Sequence, residues 1–309
     1  MVERFKIRSG PAADQVVDIV HHTLIGGAGF LIAAEHGHEL AGAAFLIGSI
    51  FPDLDVALMA FGKRFYLRNH QAISHSLPLS PLYALVLASP LLALVGMDWT
   101  IVTGALLGFW VHVALDLANT FRIALWAPFH DKRISLDAVF FIDAIALGLT
   151  GSFYFAFLVL QWHAAAYVYP TVFIVYIVAK FALQKHVKRK LVCEFAIPSA
   201  GNPFAFHVLQ RHAHATSTFV YNALLDSRKN QRDYQPLEDT AAVLLQSSKL
   251  YADMRRIVRA LEVTQYRRAD DRIHIEAHDL AVRNFGGRFG KTTLEFDTSG
   301  HLLRESANV

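Results

Sequence analysis

Residues 99–117 read WTIVTGALLGFWVHVALDL, a run without lysine, arginine or glutamate in which one histidine, His112, precedes one aspartate, Asp116, by four positions. About 20 apolar residues in helical form, rising about 1.5 Å each, cross the ~30 Å hydrocarbon core of a bilayer. The run therefore reads as a transmembrane helix. A titratable side chain inside such a helix is costly and marks function by default. Four residues apart, His112 and Asp116 share one helical face and are able to grip one metal ion.

Working outward, residues 77–97, 138–160 and 165–183 have the same apolar character and length. Residues 22–34 and 40–51 are apolar but shorter, and Pro52 interrupts the second by removing a backbone donor. These two are expected to form short, tilted or re-entrant helices. Arranged as three hairpins, the segments place Arg4, Lys6, Arg8, Lys63, Arg64, Arg68, Arg122, Lys132, Arg133, Lys185, Lys188, Arg189 and Lys190 on one side and leave the opposite connections without lysine or arginine. The positive-inside rule then predicts a multi-pass protein with both termini cytoplasmic.

The composition agrees. Of 309 residues, 54% are hydrophobic and 18% charged, and the mean hydropathy is +0.33. The apolar stretches lie before Lys185, and the remainder is polar. The expected fold is mainly α: a polytopic helical membrane bundle with a small α+β cytoplasmic C-terminal domain. Residues 1–20 are assigned to an N-terminal cytoplasmic segment, 21–190 to the membrane-embedded domain and 191–309 to the soluble domain. Within the last, residues 217–225, 272–282 and 291–296 read as strands and 240–261 as an amphipathic helix. The net charge of +3, without a basic face, gives no support to nucleic acid as a partner, and none is expected. A single cysteine, Cys193, fits a reducing compartment, and the N-terminus has no signal-peptide pattern.

Titratable residues gather on the basic side. His22 opens the first apolar segment, Asp53 and Asp55 follow Pro52, and His70 and His75 precede residues 77–97. With His112 and Asp116 they make seven candidate ligands. Imidazole and carboxylate suit zinc, and a carboxylate-rich set also suits manganese. Seven ligands exceed what one tetrahedral ion needs, so two or three divalent ions bridged by Asp55 are expected, a proline break letting Asp53 and Asp55 converge. Such a centre activates water for attack on a phosphoester, with Arg68 steadying the developing negative charge.

Other polar residues have blander readings. Ser74 and Ser76 read as caps of the following helix. His36 and His38 read as a solvated turn on the opposite side, and His207, His212 and His214 are given no catalytic role.

The segments HTLIG (22–26), PDLD (52–55), RNH (68–70), HS (75–76), HVALD (112–116), APF (127–129) and FID (141–143) resemble, in order and spacing, the bacterial LexA-binding, inner-membrane-associated, metal-dependent hydrolase family. The resemblance covers roughly residues 20 to 150. It implies an inner-membrane location and His22, Asp53, Asp55, His70, His75, His112 and Asp116 as ligands, with Asp143 in an outer position. It also implies a distant relation to zinc-dependent phospholipase C and single-strand nucleases, and hence a phosphoester. Membrane lipid, a lipid or phosphoester substrate and a cytoplasmic protein are the expected partners. The alternative is a non-catalytic metal-binding membrane scaffold or sensor with a partner-binding tail. Transport fits least, because the outer halves of the segments are nearly all apolar.

Overall fold

The computed structural model describes residues 11–140, 143–212, 215–234, 239–258, 260–269, 271–280 and 290–308. Arg4, Lys6 and Arg8, Phe141 and Ile142 of the FID segment, His214 and Val282 lie outside them.

The helical part runs α1 (Pro11–Glu35), α2 (Glu39–Ile50), a 3₁₀ segment (Phe51–Phe61), α3 (Lys63–Asn69), a 3₁₀ turn (Ile73–His75), α4 (Ser80–Val95), α5 (Trp99–Ala118), α6 (Ala144–Tyr154) continued by a π turn (Phe155–Val159), and α7 (Ala165–Leu191). Among the described residues, three helical stretches are long and apolar enough to cross a membrane: Glu39–Phe61, Trp99–Ala118 and Ala165–Leu191. A fourth exists if Arg64–His75 and Ser80–Val95, bent by 82°, count as one span. Ile19–Glu35 and Ala144–Val159 are apolar but shorter.

Two of the expected spans are thus shortened, for local reasons. The helix expected over 138–160 starts only at Ala144, because the Asp143 carboxylate accepts from Ile145 N and Ala146 N and fixes an N-terminus there. Residues 138 and 139 instead hydrogen-bond to the carbonyl of Ala118. The helix expected over 77–97 is Ser80–Val95, with Pro81 in its first turn and Gly96, at φ +85°, ending it.

α2 and α5 pack closely. A methyl added to Gly48 would run into the carbonyl oxygen of Ala105, and one on Gly108 into that of Phe45. Glycine lets the two backbones approach, as small residues do at helix interfaces within membranes.

The rest of the described chain forms two antiparallel four-stranded sheets. The first is β1 (Phe195–Pro198), β2 (Ala205–His212), β3 (Ala215–Asn222) and β4 (Ser227–Tyr234); the second is β5 (Leu261–Arg268), β6 (Arg272–Asp279), β7 (Lys291–Asp297) and β8 (Leu302–Asn308). Between them the single helix expected over 240–261 is two, α8 (Asp239–Ser247) and α9 (Lys249–Ile257), and Leu261 already belongs to β5. The break is chemical: Ser248 Oγ accepts from Tyr251 N and caps α9.

The sheets are joined to the helices by shared cores. Leu67 of α3, fully buried, packs with Leu250, Met254, Val258, Leu261, Ala277 and Ala307. Val187 and Leu191 of α7 pack under Phe206, Phe219 and Tyr221. Each Leu or Phe buried in this way stabilises by about 1.5–3 kcal/mol.

Candidate metal centre

α5 carries His112 and Asp116 on one buried face near its C-terminal end. The 3₁₀ segment after Pro52 brings Asp53 to the same point, and the turn Ile73–His75 brings His75. Asp53, His75, His112 and Asp116 are all buried, and each offers one ligand atom within 4.8 Å of the others. This group is able to hold a metal ion.

The hydrogen bonds decide which atoms face the centre. His112 Nδ1 lies 2.7 Å from the carbonyl oxygen of Ser49, which can only accept. Nδ1 therefore carries the proton of the neutral ring, and Nε2 presents its lone pair. Ser74 Oγ donates to Asp55 Oδ2 at 2.7 Å, so its oxygen accepts from His75 Nδ1 at 2.9 Å, and His75 too presents Nε2. The two Nε2 atoms stand 3.3 Å apart. Asp116 Oδ2 is 2.9 Å from His75 Nε2 and 3.2 Å from His112 Nε2 without hydrogen-bond geometry to either, and Asp53 Oδ2 also lacks a hydrogen-bond partner among the described residues. Lone pairs and carboxylate oxygens converging on one buried point repel each other unless a proton or a metal cation joins them. The donor set fits a divalent ion, and the outward hydrogen bonds of both rings are those that orient histidine ligands.

His22 stands at the edge of this group. Its Nε2 is 3.0 Å from Asp116 Oδ1, and its ring stacks on His112 with centroids 3.8 Å apart. A cavity of about 20 Å3, room for about one water molecule, adjoins His22, Asp116 and Asn119, with Leu115, Phe173 and Ile177 among its apolar walls.

Asp55 and His70 do not enter the four-residue group. Asp55 Oδ1 accepts from His70 Nδ1 at 2.7 Å, and Oδ2 from Gln71 N at 2.8 Å as well as from Ser74. Its oxygens are thus engaged by three protein donors, and the bridging position expected for it is not where it lies. The reason is helical phase: at three residues per turn, side chains two apart point about 120° apart, so Asp53 and Asp55 diverge where the proline was expected to bring them together.

Arg68, expected to face substrate charge, turns toward α9. Its Nε donates to Asp253 Oδ1 at 3.0 Å, beside Arg64 Nε on Oδ2 at 2.9 Å. Burial pushes the Asp253 carboxyl up, and the hydrogen bonds from Arg64 and Arg68 outweigh it and hold its pKa below the usual range. Sequence reasoning gave Arg133 only a place in the basic side; its Nη2 donates to the carbonyls of His70 at 2.8 Å and Arg68 at 3.3 Å, tying down the segment that bears the histidines.

Asp143, besides capping α6, accepts from the Tyr176 hydroxyl at 2.7 Å. Neither serine caps α4, whose N-cap position is Leu79 and has no side-chain cap among the described residues: Ser76 Oγ donates to the Ala127 carbonyl and accepts from Leu79 N at 3.3 Å, and Ser74 serves Asp55 and His75. The contribution of Ser49 is a backbone carbonyl, which no side-chain motif announces. Arg133 and Asp253 had only their charge as a signal.

Residues 17–187, more than half of the chain, match the model of a family described as YdjM inner membrane protein. No curated protein and no solved structure matches the chain.

Proposed function

Because this chain belongs to the YdjM inner membrane protein family, we propose that it is a multi-pass membrane-bound hydrolase whose buried His/Asp group holds one divalent ion, zinc or manganese, and acts on a lipid-linked phosphoester. The observation that carries this reading is the pair of imidazole Nε2 atoms 3.3 Å apart, their Nδ1 atoms committed to Ser49 and Ser74, facing unpartnered oxygens of Asp53 and Asp116. A single ion is favoured over the expected two or three because Asp55 and His70 are bonded to each other.

Bound there, a divalent ion would supply Lewis-acid polarisation of a phosphoryl oxygen and acidify water. The chain's own residues do the rest. Asp53, His75, His112 and Asp116 bind; Ser49 and the Asp55–Ser74 pair orient the two rings. His22 Nε2 holds a proton against Asp116 Oδ1. The apolar walls beside His22 and Asp116 exclude bulk water from that side of the group.

The topology in this reading has both termini cytoplasmic. Arg64, Arg122, Lys132 and Lys188 border the end of the helices where the metal centre lies, and the connections α1–α2, α4–α5 and π turn–α7 contain no lysine or arginine. The site then opens near the inner leaflet, where lipid headgroups are.

The test is metal analysis of the full chain purified in detergent, followed by turnover of phosphatidyl or polyprenyl phosphoesters with zinc or manganese added. Metal-dependent release of phosphate or headgroup that is lost in Asp116→Ala supports the reading; turnover indifferent to metal and to that substitution removes it. Tight metal binding without turnover of any phosphoester would favour the scaffold or sensor instead.

A further inference from the structure

α3 is gripped from outside the membrane-spanning helices. At seven residues, a helix of this length is marginal by itself, so its position is set by what docks on it. Arg64 and Arg68, one turn apart on one face, both donate to Asp253 of α9, which is 4% exposed. Leu67, between them in sequence, is buried in the core formed with Leu250, Met254 and Val258.

The C-terminal end of α3 leads toward the metal centre through residues beside it. His70 follows its last residue, Asn69, and Tyr66 stacks on the His70 ring with centroids 4.5 Å apart. His70 Nδ1 donates to Asp55, Asp55 accepts from Ser74, and Ser74 holds His75 Nδ1. A continuous set of contacts therefore leads from Asp253 through α3 to a ligand ring.

We propose that the C-terminal region is a positioning element of the metal centre and that Asp253 is the residue through which it acts. Releasing Asp253 lets α3 shift, His70 leaves Asp55, and the hydrogen bonds that aim His75 Nε2 are weakened. The inference rests on the reading that Asp53, His75, His112 and Asp116 bind a cation.

The experiment is calorimetric titration of the full-length chain in detergent micelles with zinc or manganese alone. Wild type is compared with Asp253→Asn, Asp253→Glu, the double variant Arg64→Gln/Arg68→Gln and His112→Ala. Removing groups that orient metal ligands costs about 10–100-fold in affinity; acting one layer further out, Asp253→Asn and the double variant are expected to bind roughly tenfold more weakly, and Asp253→Glu to recover most of the loss. The double variant alters only half-exposed side chains and serves if Asp253→Asn does not fold. Wild-type affinity in both variants overturns the proposal, since a clamp that merely holds two parts together would not move metal binding. Equal binding by wild type and His112→Ala sinks the metal reading itself, and the inference with it, which is a separable result.

Discussion

His112 Nδ1 donates to the carbonyl oxygen of Ser49 across the interface of α5 and α2, at 2.7 Å. The spacing of two helices thereby becomes the aim of one imidazole. Gly48, next to Ser49, is where that spacing is set, because any Cβ there meets the Ala105 carbonyl and sits 3.0 Å from Phe109 N. Gly48→Ala is expected to cost about 1–3 kcal/mol through overpacking and to misaim His112. Circular dichroism melts with and without zinc would show both a lower Tm and a smaller metal-induced rise; an unchanged rise would separate the interface from the ligand.

Loss of a ligand should exceed loss of a neighbour. His112→Ala and Asp116→Ala are expected to remove metal from the purified protein and to abolish phosphoester turnover. His22→Ala should retain metal with reduced affinity, because His22 reaches the group through Asp116 Oδ1. Elemental analysis beside an activity assay checks the ranking.

Ser74 is the sharper probe. Its hydroxyl joins Asp55 Oδ2 to His75 Nδ1 and touches no candidate metal position in the four-residue group. Ser74→Ala should leave the fold intact and weaken metal affinity by about 10–100-fold, while Ser74→Thr keeps most of it. Competition with a chromogenic chelator measures the difference.

The first sheet should be acid-sensitive through His207. Burial pushes this imidazole from its ordinary 6.5 down to about 4. Between those values the unfolded chain binds a proton that the folded chain refuses, so the contribution is intact above about pH 6.5 and is lost as pH falls toward 4. The full shift corresponds to roughly 3 kcal/mol. Urea unfolding followed by far-UV circular dichroism at pH 7 and pH 4.5 should show the loss, and His207→Leu should flatten it.

The helical part was legible where hydrophobicity alone decides, as in Trp99–Ala118, whose bounds agree with the reading to one residue. It was less legible where one side chain overrides an apolar run: Asp143 starts α6 late, and Ser248 splits α8 from α9. Among the strands, β6 and β7 alternate in burial and were found, whereas β4, reading SRKNQRDY, buries almost nothing and carries no alternation to detect.

For the site, the i, i+4 spacing of His112 and Asp116 was enough to place them together, because a long helix has a fixed phase. The fate of Asp53 against Asp55 was hidden, since it depends on whether the chain after Pro52 runs as α, 3₁₀ or coil. Arg68 was read as free for substrate because Asp253, its partner, is far away in sequence and advertises nothing but a charge.

Leu67 fills a socket whose other walls are synthesised much later in the chain. The second sheet closes one core with α8 by itself, through Leu244, Leu245, Ile275 and Phe296, but the core it shares with α9 is completed only by this leucine from the preceding segments. Made separately, the second sheet and α9 would carry an apolar hole where Leu67 belongs and the Asp253 carboxylate stripped of both guanidinium groups.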